Sequence, residues 1–200
     1  MDSNTSAPVQ EPQAPDVLST LKSRTQGYHR EIETVVNLMD PNMTLAEYGR
    51  LLQIFHGFYS PMEATAAKHF DAETLARFDF ENRRKTAWLR SDLQAFNLEP
   101  DMAHQAELPP LGTYPQVLGA FYVMEGATLG GQHIARQVAQ RFGLTPEKGC
   151  AFFSSYQEKR MPMWKAYQDA LVACDEPDAL ADAACETFRC FNAWFKANKK

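Results

Sequence analysis

This sequence contains no apolar run near the ~20 residues needed to span a bilayer, so no transmembrane helix is expected anywhere along it. Its opening residues, MDSNTSAPVQEPQAPD, lack both a basic n-region and an apolar h-region, which predicts no secretory leader. The four cysteines (Cys150, Cys174, Cys185, Cys190) form no C-x-x-C pair, so neither a structural zinc site nor a disulfide scaffold is indicated, and a reducing cytoplasm is the simplest setting. No Glu-x-x-His occurs, which removes the ligand signature of a di-iron or di-manganese carboxylate bundle. None of the four cysteines stands out as reactive, as a thiaminase-like hydrolase would require. Positive charge is also in deficit: the formal net charge is −5, which argues against a protein that works by neutralising nucleic-acid phosphate. Period-2 alternation of strand type never extends beyond a few residues.

What remains is helical periodicity over a chain of 200 residues, enough for one domain with a sizeable core. Residues 1–15 are polar and carry Pro8, Pro12 and Pro15, a composition that does not repay its own ordering and predicts a disordered tail, with the domain over 16–200. From there Leu18, Leu21, Thr25, Tyr28, Ile32, Val35 and Met39 step by three and four, a helix face with Thr25 as its weak member, until Asp40-Pro41-Asn42 stops it. Thr44 and Glu47 have capping-box spacing and open a second helix, expected to kink or break before Pro61. A third helical stretch is expected over 73–96, then a proline-rich loop over 98–112. Thr113 caps a long helix with Pro115 in its first turn, and Gly143 ends it after Phe142. Two more helices fit 155–174 and 177–197. The expected architecture is a single-domain, all-α bundle of six to eight helices.

Two features call for more than packing. Within Phe121-Tyr-Val-Met-Glu-Gly-Ala-Thr-Leu-Gly-Gly-Gln-His-Ile-Ala-Arg136, three glycines interrupt a segment that otherwise reads as helix. Each costs about 1 kcal/mol relative to alanine, so roughly 3 kcal/mol in all must be compensated. Gly126 and Gly130 share a face of bare backbone, and Gly131 adds a local weakness at which a bend is expected. That face suits either a close helix crossing or a flat ligand lying against the helix, and the segment alone favours neither.

The second feature is a stripe of Lys22, Gln26, His29, Glu33 and Val36 beside the apolar face of the first helix. Lys22 and His29 stand about 10.5 Å apart along the axis, close to the reach from a heme iron to a propionate at the macrocycle edge. Lys22 would then neutralise a carboxylate while His29 holds the metal. Glu33, four residues on, can accept from His29 Nδ1–H and leave Nε2 for the iron. A solvated lysine and an ordinary surface pair are the plainer alternatives. His56 and His69 fall on a helix with no partner at ligand spacing, His104 lies in the loop, and His133, after the glycines, is expected at a boundary or in solvent, with a polar distal pocket as the alternative.

Lys22, His29 and Glu33, followed about a hundred residues later by Glu125-Gly-Ala-Thr-Leu-Gly-Gly-Gln132, resemble a bacterial heme oxygenase over residues 17–197, and Trp164-Lys165 fits as well. The resemblance implies an all-α sandwich with heme between a proximal helix carrying His29 and a kinked distal helix carrying Gly126 and Gly130. It implies heme as both cofactor and substrate, O2 and electrons as co-reactants, and biliverdin, CO and iron as products. A ferredoxin or flavoprotein reductase would supply the electrons, and a bacterial phytochrome is a conceivable recipient of the biliverdin. It places Lys22 first, then Tyr122, Arg160 and Lys165, at the propionates, with Thr128 and Gln132 as candidates for ordering distal water. Animal members carry an aspartate directly after the first distal glycine, where this sequence has Ala127. A heme carrier or sensor using the same proximal histidine without turnover is the alternative.

Overall fold

A computed structural model describes residues 16–199; the tail expected over 1–15 lies outside the described residues. Eight α-helices occur among them, with no β-strand: α1 Val17–Val36, α2 Leu45–His69, α3 Ala72–Ala76, α4 Phe80–Arg83, α5 Thr86–Ala95, α6 Tyr114–Phe142, α7 Arg160–Val172 and α8 Pro177–Asn198. The architecture is all-α, as the periodicity predicts. Among the described residues no helix is long and apolar enough to cross a membrane, and all four cysteines are free thiols.

Asp16 starts α1 by accepting the backbone N–H groups of Leu18 and Ser19, and Asn37 ends it in the left-handed conformation (φ 43°). Leu21, Thr25, Ile32 and Val36 are buried, so the predicted apolar face is the packed one. Thr25 holds its place by giving its hydroxyl proton to the Leu21 carbonyl at 2.7 Å. The capping boxes at Thr44/Glu47 and Thr113/Gln116 both form, and Gly143 closes α6 at φ 67°. α8 is the spine of the bundle, packing along α6 on one side and α1 on the other. The crossing with α6 is close because Gly119 has no side chain; a Cβ there would sit 2.2 Å from the Leu180 carbonyl oxygen.

The interruption expected before Pro61 and the single helix expected over 73–96 are both corrected. α2 runs through Pro61 without a break. Proline lacks the N–H that would bond the carbonyl four residues back, and the carbonyl so released, that of Gly57, accepts instead from the Ala106 N–H of the following loop at 2.9 Å. The stretch over 73–96 is not one helix but three short ones. Asp79 takes φ 57° between α3 and α4, and Arg84 is extended before α5. The break turns Arg83 and Lys85 inward, where both are 1% exposed. It also frees the Lys85 and Thr86 N–H groups, which bond the Glu63 carboxylate of α2 at 2.6 and 3.2 Å.

Candidate functional site

Between α1 and α6 lies a cavity of about 730 Å3, within the usual range of small-molecule sites. Its apolar walls come from Phe55, Phe58 and Tyr59 of α2, Phe152 and Phe153 of the segment before α7, and Phe188 and Phe191 of α8. These rings pack edge to face or tilted, with centroids 4.7 Å apart for Phe58–Phe191 and 5.2 Å for Tyr59–Phe152, so the wall is a continuous packed aromatic surface.

One side is closed by α1. His29 and Glu33 both line the cavity, with His29 Nδ1 3.3 Å from Glu33 Oε1 and the ring edge-on to Phe188 at 6.1 Å. With Nδ1 turned to the carboxylate, Nε2 is the nitrogen left to act as a ligand. Lys22 is exposed and outside the lining, two turns away on the same helix.

The other side is closed by α6, which stays helical through all three glycines. They divide into two kinds. A Cβ at Gly126 or at Gly130 would meet nothing within 4 Å, whereas one at Gly131 would lie 2.6 Å from the Phe153 carbonyl oxygen. Gly131 therefore serves packing, and Gly126 and Gly130 offer backbone to open space. Tyr122 lines the cavity one turn earlier, with its ring 6.0 Å from that of Trp164, also on the wall. Thr128 is buried on the lining and donates its hydroxyl proton to the Glu125 carbonyl at 2.7 Å, which leaves its oxygen lone pairs for an incoming donor.

Other predicted residues sit elsewhere. Gln132 is exposed and off the lining. Lys165 is exposed and paired with Asp169 on its own helix. Arg160 is half-buried outside the lining, with its Nε buried and without a partner. His133, expected at a solvent boundary, is exposed and also contributes to the lining. His69 and His104 bond Thr65 and Asn198, while His56 is fully buried with neither ring nitrogen partnered.

Sequence reasoning gave no role to the charged cluster under α6. Glu125, immediately before Gly126, takes Arg83 Nη1 on Oε2 at 2.6 Å, and on Oε1 the Lys85 ammonium together with the Tyr156 hydroxyl at 2.8 Å. Arg83 also bonds the Phe78 and Met163 carbonyls at 2.5 and 3.1 Å, so one carboxylate ties α6 to the α3–α4 turn, to the α4–α5 junction and to α7. Burial, followed by the neighbouring Glu125 charge, holds the Tyr156 phenol protonated well above its ordinary range. Lys85 alone of these four lines the cavity. The available signal was the Arg83-Arg84-Lys85 run, which reads as a solvated face until the chain break that buries it is known.

The bundle thus brings together a cavity walled by aromatic rings, a histidine beside a carboxylate on one helix and bare backbone on the helix opposite, an arrangement with room for a flat ligand. The chain belongs to the heme oxygenase family, whose model matches residues 16–197. Solved structures with the same fold include the NO- and CO-bound heme oxygenase of Neisseria meningitidis (TM-score 0.75, 19% identity, 92% of each chain covered). Heme oxygenase from Leptospira interrogans is similar (TM-score 0.74, 19% identity, 92% of this chain and 100% of that one). So is heme oxygenase 2 of Chlamydomonas reinhardtii, solved without heme (TM-score 0.69, 17% identity, 92% and 98%). Among curated protein sequences none matches significantly.

Proposed function

We propose that this protein is a heme oxygenase that opens heme to biliverdin, with His29 as the axial ligand of the iron. The observation that carries the reading is the pair of facing walls: an imidazole oriented by Glu33 on α1, and on α6 two glycines whose missing side chains would have projected into open cavity. A structural bundle would have no use for unfilled glycines there, each of which costs about 1 kcal/mol against alanine.

The residues present fit heme. Aromatic walls suit the faces of the macrocycle, and a single neutral imidazole is a known heme-iron ligand type. When bound, heme supplies both the iron that activates O2 and the meso carbon that is oxidised, so that biliverdin, CO and iron are released. Glu33 would fix the His29 tautomer and strengthen it as a donor. Gly126 and Gly130 would let the macrocycle and a small iron ligand lie directly against backbone. Thr128 would accept a hydrogen bond from distal water through its free lone pairs, with the exposed Gln132 a more peripheral contributor. Tyr122 stands on the wall as a partner for one propionate, while Lys22, Arg160 and Lys165 would act on carboxylates projecting beyond the lining. Electrons would come from a ferredoxin or flavoprotein reductase, and the biliverdin would be available to a phytochrome.

The test is reconstitution with hemin, followed by an electron-donor system and O2. Decay of the Soret band with growth of a biliverdin spectrum is the expected result. A persistent oxy or ferrous complex would overturn turnover in favour of a carrier or sensor.

A further inference from the structure

The two facing walls of the cavity stand on helices that are not packed along one another. α1 rests on α8 and, to a lesser extent, on α7, and what lies between α1 and α6 is the cavity itself. Some other contact therefore sets how far apart the walls stand. Among the described residues that contact is the turn after α1. Leu38 and Met39 of this turn line the cavity at its end, and three hydrogen bonds reach the turn from α6. Gln137 Nε2 donates to the Met39 carbonyl at 3.4 Å. Arg141, one helical turn further on, forks across the segment, donating from Nη1 to the Asp40 carbonyl at 2.6 Å and from Nη2 to the Met43 carbonyl.

The last turn of α1 carries no basic residue of its own, so the negative end of its dipole is met by cations from other helices. Lys199, just past α8, donates to the Val35 and Val36 carbonyls at 2.9 and 2.7 Å. The exit of α1 is thus held from the α8 side by Lys199 and from the α6 side by Arg141. A guanidinium suits the second task, because its planar fork serves two carbonyls at once. α1 is unbroken from His29 and Glu33 to Val36, so a shift at its end is carried back along the helix to the histidine wall.

We infer that Arg141 is a positioning residue for the heme site: it holds the α1–α2 turn to α6 and so fixes the separation of the His29 wall from the Gly126–Gly130 wall. The inference rests on the heme reading above. A wild type that takes up no hemin would sink that reading, whereas normal uptake with no response to substitution of Arg141 would sink this inference alone.

Arg141→Met keeps an unbranched side chain and removes both bonds, whereas Arg141→Lys keeps the charge and can serve one carbonyl. Hemin must part the walls to leave. Its transfer from the hemin complex to excess apomyoglobin should therefore be roughly tenfold faster in Arg141→Met, the order expected for two lost hydrogen bonds. The second readout is the ratio of tert-butyl to methyl isocyanide affinity at the ferrous iron, titrated optically. A wall free to give way admits the bulkier ligand, so the ratio should rise; a protein that is merely less stable leaves it unchanged. Arg141→Lys should fall between Arg141→Met and wild type on both measurements, and it carries the test should Arg141→Met not fold. Hemin transfer at the wild-type rate overturns the proposal. So does an unchanged isocyanide ratio beside a lowered melting temperature of the heme-free variant, which would make Arg141 a residue of stability alone.

Discussion

Glu33 Oε1 lies 3.3 Å from His29 Nδ1, one turn further along the same helix, on the wall of the cavity. The pair tests the proximal assignment at two levels. His29→Ala should abolish turnover and the histidine-ligated spectrum of the ferric complex; unchanged biliverdin formation would place the ligand elsewhere. Glu33→Ala should retain hemin and lose about tenfold in turnover, the lower end of the roughly 10–100-fold range for partners that orient a metal ligand, because both side chains are more than half exposed. The same variant should raise the iron reduction potential, since a less anionic imidazole stabilises the ferric state less. A potential that stays put would show that Glu33 does no more than cover the surface.

The three glycines of α6 should separate stability from activity. Ala at Gly126 or Gly130 fills open space in a helix interior and should raise the melting temperature of the heme-free protein, by up to about 1 kcal/mol in stability each. Larger residues there, such as Leu, should impair hemin binding or oxygen activation. Gly131→Ala should do the reverse, costing about 1–3 kcal/mol through its 2.6 Å approach to the Phe153 oxygen. Thermal melts of the heme-free variants beside hemin titrations would read both effects, and a destabilising Gly126→Ala would contradict the open wall.

Much of this was legible along the chain. The apolar face of α1, both capping boxes, the stop at Gly143 and the pairing of His29 with Glu33 follow from local spacing, because each involves residues within one or two helical turns. Spacing could not assign Gly126, Gly130 and Gly131 their separate tasks, since what distinguishes them is the segment at Phe153 that packs against one and not the others. Pro61 misled for the same reason: the donor that relieves its helix, Ala106, lies 45 residues away in sequence. Arg83, Lys85 and Glu125 were missed because a buried ion network is a property of where helices stop. Where the chain breaks between α3 and α5, the groups it turns inward are met by Glu63 and Glu125 from other helices, partners that local spacing does not reveal.

Asp92 on α5 is expected to make stability depend on pH. It is 1% exposed and accepts the Ala151 and Phe152 N–H groups at 2.7 and 2.9 Å, fastening the segment that carries the Phe152 and Phe153 wall. Burial pushes its carboxyl up to about 6 against the pull of those two bonds. A carboxyl raised on folding binds its proton more tightly in the folded state. Its contribution is therefore fully present below the unfolded value near 3.8 and is lost as pH rises through about 6. The displacement corresponds to roughly 3 kcal/mol. Denaturant titrations between pH 4 and pH 7 should show the wild type losing stability relative to Asp92→Asn over that window. A difference that stays constant with pH would mean that the two backbone bonds outweigh burial.

Glu125 is the most exacting residue to replace. Glu125→Gln keeps the shape and leaves Arg83 and Lys85 buried without their carboxylate, so it should destabilise by about 3–5 kcal/mol, the usual penalty for breaking a buried pair from one side. Tyr156→Phe, which removes one bond and no charge, should cost only about 0.5–1.5 kcal/mol. Charge imbalance rather than lost hydrogen bonding makes the difference, so pairing Glu125→Gln with Lys85→Gln should recover part of the loss. In a double-mutant cycle read by urea unfolding, a strongly favourable coupling between positions 85 and 125 is expected. Simple additivity would show that Arg83 alone carries the pairing and that Lys85 is a bystander at the cavity wall.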